Sequence, residues 1–236
     1  MTPAYVALVP AGSPKPAFIF DLDGTLIDSV YQHVLAWSAA LEQIGLSLAV
    51  WRIHRRIGMS GGLLAQALGR EIQQPLSRDQ IETLRELHAA EFERYAAGLR
   101  PLPGACELLR RLTEVGVRYA IATSGATSAA TPSLKALAIG EDIPVITRDD
   151  VRHAKPDPEL FLVAAQRLNV SQSEAIVVGD SVWDLLAARR AGSLAVGVLS
   201  GGCGEDELQR AGAYRVYQDP ADLLAHLDEV GVRTPH

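Results

Sequence analysis

The chain has 236 residues, 48% of them hydrophobic, and a formal net charge of -6. That apolar content suffices for a sizeable core, in one large domain or two smaller ones. The acidic balance and the lack of any basic run argue against nucleic acid as a partner, and no apolar run approaches the length of a membrane span. Cys106 and Cys203 are the only cysteines; they have no metal-site spacing and make no disulfide framework, so a reducing, cytoplasmic setting is expected.

Residues 1–16 hold four prolines and few charges. Without a basic start and an uninterrupted apolar stretch they read as a loose N-terminal arm, not a signal peptide. Four apolar residues follow, Ala17–Phe20, and read as a buried parallel strand. The run ends in Asp21-Leu22-Asp23-Gly24-Thr25. Acids at i and i+2 leaving a strand point to one side, and in open α/β sheets the carboxyl ends of strands are where ligands bind. Like charges buried together need a shared cation or proton. The chemistry that uses such a pair is a metal-bound carboxylate nucleophile with an acid/base neighbour.

From 33 to 99 the signals are all helical, as at 35–44, 63–68 and 78–95. Pro101 and Pro103 close the block. A helical insert between the first strand and the second reads as a small domain of its own, with chain crossings near 29–33 and 98–102 as a double hinge. The expected division is an arm over 1–16, a core over 17–32 and 100–236, and an insert over 33–99. Beyond the insert, apolar runs at Tyr119–Ala122, 143–146, 175–178, 194–199 and 214–217 alternate with amphipathic stretches at 106–115, 158–168 and 183–191. That alternation predicts a parallel sheet with helices on both faces. Gly116, Gly192 and Gly212 sit just past helical stretches, where a left-handed cap is needed.

Three further strand ends or helix starts carry reactive residues. Thr123-Ser124-Gly125 follows the second main strand and offers hydroxyls and backbone N–H donors for an anion. His153-Ala154-Lys155-Pro156-Asp157-Pro158 opens a helix, in a chain whose other lysines are Lys15 and Lys135 alone. Gly179-Asp180-Ser181-Val182-Trp183-Asp184 ends another apolar strand with acids at i and i+4; oxygen ligands of this kind suit Mg²⁺. Asp184 also stands where an acid stabilises the first turn of a helix.

Asp21-Leu22-Asp23-Gly24-Thr25-Leu26 resembles the first motif of the haloacid dehalogenase superfamily, whose members are mostly Mg-dependent phosphatases, and the later motifs follow in the family's order. The resemblance covers the chain from about Ala17 onward. It implies a Rossmann-like α/β core with an all-helical cap inserted after the first strand. It implies Asp21 as nucleophile through an aspartyl-phosphate, and Asp23 as acid/base with its pKa raised by neighbouring negative charge. Thr123, Ser124 and Lys155 would bind the phosphoryl group. Asp21, Asp23 and Asp180 would hold Mg²⁺, and Asp184 would steady a metal-bound water or Lys155 from behind.

Asp28-Ser29-Val30-Tyr31-Gln32-His33 resembles the cap entry of the phosphoglycolate phosphatase and β-phosphoglucomutase branch. His33 matches the mutases' hinge histidine, or else caps and packs the first insert helix; Trp37, four residues on, reads as core. Gly58, Ser60 and Gly61 form a glycine-rich turn suited to close approach to substrate. Mutases carry an arginine after the serine, where Gly61 stands, and a cap lysine, of which this insert has none. Arg52, Arg55 and Arg56 read as replacement anion binders or as a solvated face. The 200–202 loop is a second flexible segment expected to face the insert. A phosphatase acting on a small phosphorylated metabolite is therefore expected, as a monomer or weak homodimer, with a phosphosugar mutase as the alternative. A dehalogenase would leave Asp23 superfluous, and a non-catalytic protein would not keep every motif residue.

Overall fold

The structure is a computed structural model describing residues 16–232. Apart from Pro16, the expected N-terminal arm lies outside the described residues.

The chain enters through β1 (Ala17–Phe20), then β2 (Ile27–Asp28). Four helices follow: α1 (Val30–Gln43), α2 (Val50–His54), α3 (Gly61–Glu71) and α4 (Arg78–Glu93). Then come β3 (Arg100–Pro101), α5 (Ala105–Glu114), β4 (Tyr119–Ala122), α6 (Thr127–Leu137), β5 (Val145–Ile146) and α7 (Glu159–Leu168). The last elements are β6 (Ala175–Gly179), α8 (Val182–Ala191), β7 (Leu194–Val198), α9 (Glu205–Ala211), β8 (Arg215–Tyr217) and α10 (Pro220–Ala225). Six strands form one parallel sheet in the order β5-β4-β1-β6-β7-β8. The α/β parallel-sheet core is as the sequence predicts.

The two-residue period of the strands divides the core. Phe18, Phe20, Tyr119, Ile121, Ile176 and Val178 pack on one face with Leu108, Leu109 and Leu112 of α5. Ala17, Ile19, Ala120, Ala122, Ala175 and Val177 pack on the other with Leu160, Phe161 and Leu185 of α7 and α8. Alanine predominates on the second face, and small side chains let helices lie close to a sheet. β1 lies between β4 and β6, so connections leave it to both sides and a crevice opens at its carboxyl end.

The insert enters and leaves by a short antiparallel ribbon, with Ile27 opposite Pro101 and Asp28 opposite Arg100. Its helices share an apolar cluster of their own, including Val34, Trp37, Leu41, Ile53, Leu64, Leu68 and Leu84. α4 starts at a reciprocal cap: Gln80 N–H donates to Ser77 Oγ at 3.2 Å, and Ser77 N–H donates to Gln80 Oε1 at 2.9 Å.

Candidate active site

Four chain segments converge at the carboxyl ends of β1, β4 and β6. Asp21 leaves β1 with its N–H donating to Val178 O of β6 at 2.9 Å, which ties it to the sheet. Lys155 precedes α7 and is fully buried. Its ammonium bonds Asp21 Oδ1 and lies 2.7 Å from Asp184 Oδ1. Asp21, Asp180 and Asp184 are all buried and present oxygens within 4.8 Å of one another.

Burial pushes Asp21 up to about 7; Lys155 opposes that shift and the charge of Asp184 adds to it. Burial, followed by the charges of Asp184 and Asp21, also holds Asp180 well above the usual carboxylate range. Lys155 is raised, because its two carboxylate partners outweigh burial. Three buried carboxylates around one ammonium leave uncompensated negative charge, which a divalent cation would neutralise. The donor set therefore fits a hard cation with oxygen ligands.

Asp184 meets Ser181 and Lys155. Its Oδ2 accepts from Ser181 Oγ at 2.5 Å and Ser181 N–H at 3.1 Å, which caps α8, and its Oδ1 faces Lys155. With both oxygens engaged it steadies the lysine and the helix start. Asp180 Oδ1 accepts from Thr25 Oγ1 at 3.1 Å, a link between the first and last motifs that the sequence did not signal. Thr123 is buried and its Oγ1 accepts from Gly125 N–H at 3.0 Å. Ser124 Oγ is buried without a hydrogen-bond partner in the structure. Thr123, Ser124, Asp21 and Asp23 line one cavity of about 160 Å³.

Asp23 departs from expectation twice. Its carboxylate lies outside the three-acid cluster, so a side-chain metal role is not what this arrangement offers. It accepts from Ser29 Oγ at 2.6 Å and stands 3.4 Å from His33 Nε2. Its pKa is lowered, not raised: burial alone would lift it, but the charge and hydrogen bond of His33, the Ser29 hydroxyl and Lys155 together prevail.

His33 stands beside Asp23 at the cavity wall, and it does not come alone. Its Nδ1 is 3.1 Å from His88 Nε2. α1 supplies His33 and Trp37, and α4 supplies His88 and Phe92, each pair at i, i+4 and so on one helix face. The rings stack crosswise, His33 on Phe92 with centroids 3.8 Å apart and His88 on Trp37 at 4.1 Å. Trp37 is core, as read, and also lines the cavity. Sequence reasoning missed His88; the available signal was the repeated spacing of histidine and aromatic on two helices.

The glycine turn is divided between two uses. Gly58 and Gly61 line the cavity with Ile57 and Met59, whereas the buried Ser60 turns to the core, its N–H donating to Lys155 O at 3.4 Å. Gly58 has φ +94, and a β-carbon there would stand 2.5 Å from Ser181 Oγ, so the close approach it permits is to the core. The arginines are not free anion binders. Arg52 pairs with Glu71 at 2.6 Å, Arg56 bonds the same carboxylate, and Arg55 grips Glu207 of α9 with both nitrogens. The 200–202 loop does face the insert: His54 Nε2 is 2.8 Å from Gly201 O.

A family model of haloacid dehalogenase-like hydrolases matches residues 15–192. The chain belongs to that family and is an enzyme of it. Within the family it stands with the phosphatases of the phosphoglycolate phosphatase branch. It is 36% identical over 196 residues to validoxylamine A 7'-phosphate phosphatase of Streptomyces hygroscopicus subsp. limoneus, covering 77% of this chain and 84% of that one. It is 33% identical over 223 residues to phosphoglycolate phosphatase of Rhodospirillum rubrum, covering 89% of each. The crystal structure of a hydrolase from Pseudomonas syringae superposes with a TM-score of 0.90 at 52% identity, over 92% of this chain and all of that chain.

Proposed function

We propose that the chain is a Mg²⁺-dependent phosphatase that hydrolyses a small phosphate monoester through an aspartyl-phosphate on Asp21. The observation that carries this reading is the bonding of Asp21 to Lys155 inside a buried cluster of acids, at the wall of a cavity shared with Thr123 and Ser124. At about 160 Å³ the cavity suits a metabolite smaller than a drug-sized ligand.

Asp21 and Asp180 would hold the cation, since each keeps a carboxylate oxygen outside the hydrogen bonds to Lys155 and Thr25. When bound, Mg²⁺ supplies positive charge against the phosphoryl oxygens and the attacking carboxylate. Asp21 attacks phosphorus, and the ester oxygen leaves with the bonding electrons. Lys155, the Thr123 and Ser124 hydroxyls and nearby N–H groups receive the phosphoryl oxygens. Asp23 gives its proton to the leaving oxygen. It then takes a proton from the water that cleaves the acyl-phosphate, which frees Asp21 and inorganic phosphate. A phosphate dianion arriving beside Asp23 opposes the depression that His33 causes and so raises the carboxyl toward its acid role. Gly61, in place of an arginine for a second phosphate, supports transfer to water over transfer to a sugar. The protein's partner on this reading is a small phosphorylated metabolite, met by a monomer or weak homodimer in a reducing, cytoplasmic compartment. Among the described residues no helix is long and apolar enough to cross a membrane.

The test is phosphate release from a panel of metabolite monoesters, with Mg²⁺ and with chelator, and chromatography of the products. Release should require Mg²⁺. Asp21→Asn should lose at least about a thousandfold, roughly 4 kcal/mol of barrier, and Asp180→Ala should need far more Mg²⁺ for half-maximal rate. Turnover by Asp21→Asn within about tenfold of wild type would rule out the covalent route, and an isomerised sugar phosphate without phosphate release would identify a mutase.

A further inference from the structure

The geometry points to His88 as a positioning residue for proton transfer: its ring holds His33 in the orientation that keeps Asp23 aimed at the leaving oxygen. This rests on the reading of Asp23 as the proton carrier.

His33 Nε2 stands 3.4 Å from Asp23 Oδ1, and a carboxylate asks the nitrogen facing it to carry its hydrogen. The His33 that carries its charge to Asp23 has a hydrogen on both ring nitrogens, so Nδ1 is a donor as well and needs an acceptor. His88 Nε2, at 3.1 Å, is the group His33 Nδ1 meets. Burial, followed by the nearby His33, holds His88 well below the ordinary histidine range. A neutral His88 has one bare ring nitrogen, and accepting through Nε2 completes the chain from His88 to His33 to Asp23.

The ring planes are set independently of these hydrogen bonds. His33 lies on Phe92 with 4° between the planes, and His88 lies on Trp37 with 17°. Each histidine is thus clamped by an aromatic from the opposite helix. A pair of apolar side chains would pack α1 on α4 without burying imidazole nitrogens, so packing alone does not call for these two rings. Both histidines belong to the insert and Asp23 to the core, so the chain of contacts exists only with the insert lying over the site. The second oxygen contact, from Ser29 Oγ at 2.6 Å, fixes the same Asp23 Oδ1 and leaves Oδ2 for the substrate.

The test uses two esters, a small alkyl phosphate with a poor leaving group and 4-nitrophenyl phosphate, whose leaving group departs without a proton. Each is assayed by kcat/KM with wild type, His88→Leu and His88→Gln in the presence of Mg²⁺. Leucine fills the place against Trp37 without a hydrogen bond, whereas the glutamine amide reaches about as far as Nε2 and restores one. His88→Leu should lower kcat/KM for the alkyl ester about tenfold or more and for the aryl ester less than about threefold, and His88→Gln should recover most of the loss. Melting temperatures establish that both variants are folded. Equal losses on both esters, no loss on either, or a glutamine variant as slow as the leucine one would each overturn the role. A wild type inert towards both esters would overturn the hydrolytic reading, and this inference with it.

Discussion

Arg55 and Glu207 meet side by side across the boundary between the inserted helices and the sheet: Nη1 lies 2.9 Å from Oε2, and Nη2 bonds Oε1. This fork holds the Glu207 carboxyl down at about 2, with help from the Gly204 N–H. Together with His54 on Gly201 O it fastens the end of α2 to the 200–207 segment. A hinged insert must release such contacts to admit substrate and remake them over it.

Glu207→Gln should therefore act on closure more than on stability. A partly exposed pair contributes about 0–1 kcal/mol, so the melting temperature should fall by no more than roughly 4 °C. KM should rise severalfold, and the dependence of KM on salt should flatten relative to wild type. The readout is KM at low and high ionic strength alongside thermal melting. Coincident KM values for the two proteins at both salts would show that the fork takes no part in closure.

The buried acids give a second prediction, for protein held in chelator. Asp21 is raised from 3.8 to about 7 in the folded protein, so the stability linked to it is present below pH 3.8 and is lost as pH rises through about 7. Asp21→Asn removes this titration along with one of the crowded charges. Its melting temperature should exceed that of wild type by several degrees at pH 8, and the difference should shrink as pH falls toward 4. Melting curves across that range decide the matter. Parallel curves would mean that Asp21 stays ionised in the metal-free fold.

Gly61 supplies the third. A β-carbon there would meet Arg85 Nε at 3.6 Å and Trp37 Cζ2 at 3.8 Å, ordinary contacts that the fold can accept. Gly61→Leu should consequently fold, yet fill cavity space beside Trp37 and Arg85. Relative kcat/KM among esters with different organic groups should change by tenfold or so, while acetyl phosphate, too small to reach that wall, should change much less. Equal slowing of both kinds of substrate would remove this loop from the determinants of specificity.

Much of the molecule was legible because its signals are local. Four-residue apolar runs ending in acids or hydroxyls mark parallel strands and their carboxyl ends, and β1, β4 and β6 stand where such runs occur. The helix α6 was not foreseen: Thr127–Leu137 contains Pro132 and a run of Ser, Thr and Ala without a clear apolar stripe. Its formation is decided by packing on the sheet through Ala130 and Leu137. The short α2 falls inside the stretch read as helical throughout, but its bounds were not legible, since a single turn with one buried residue, Ile53, has too few positions to show a period.

By itself, the sequence determined the parallel α/β core and put Asp21, Thr123, Lys155, Asp180 and Asp184 at strand ends or helix starts. Each of these is set by its own strand end or helix start, and neighbours in sequence suffice to read it. Only the tertiary structure decided where each carboxylate turns. Asp23 leaves its sequence neighbour Asp21 for Ser29 and His33, Thr25 reaches 155 positions along the chain to Asp180, and His88 joins His33 from another helix. These pairings depend on the angle at which two helices pack and on which buried charge finds a partner first. Both are properties of side chains brought together from distant segments, and no local pattern encodes them.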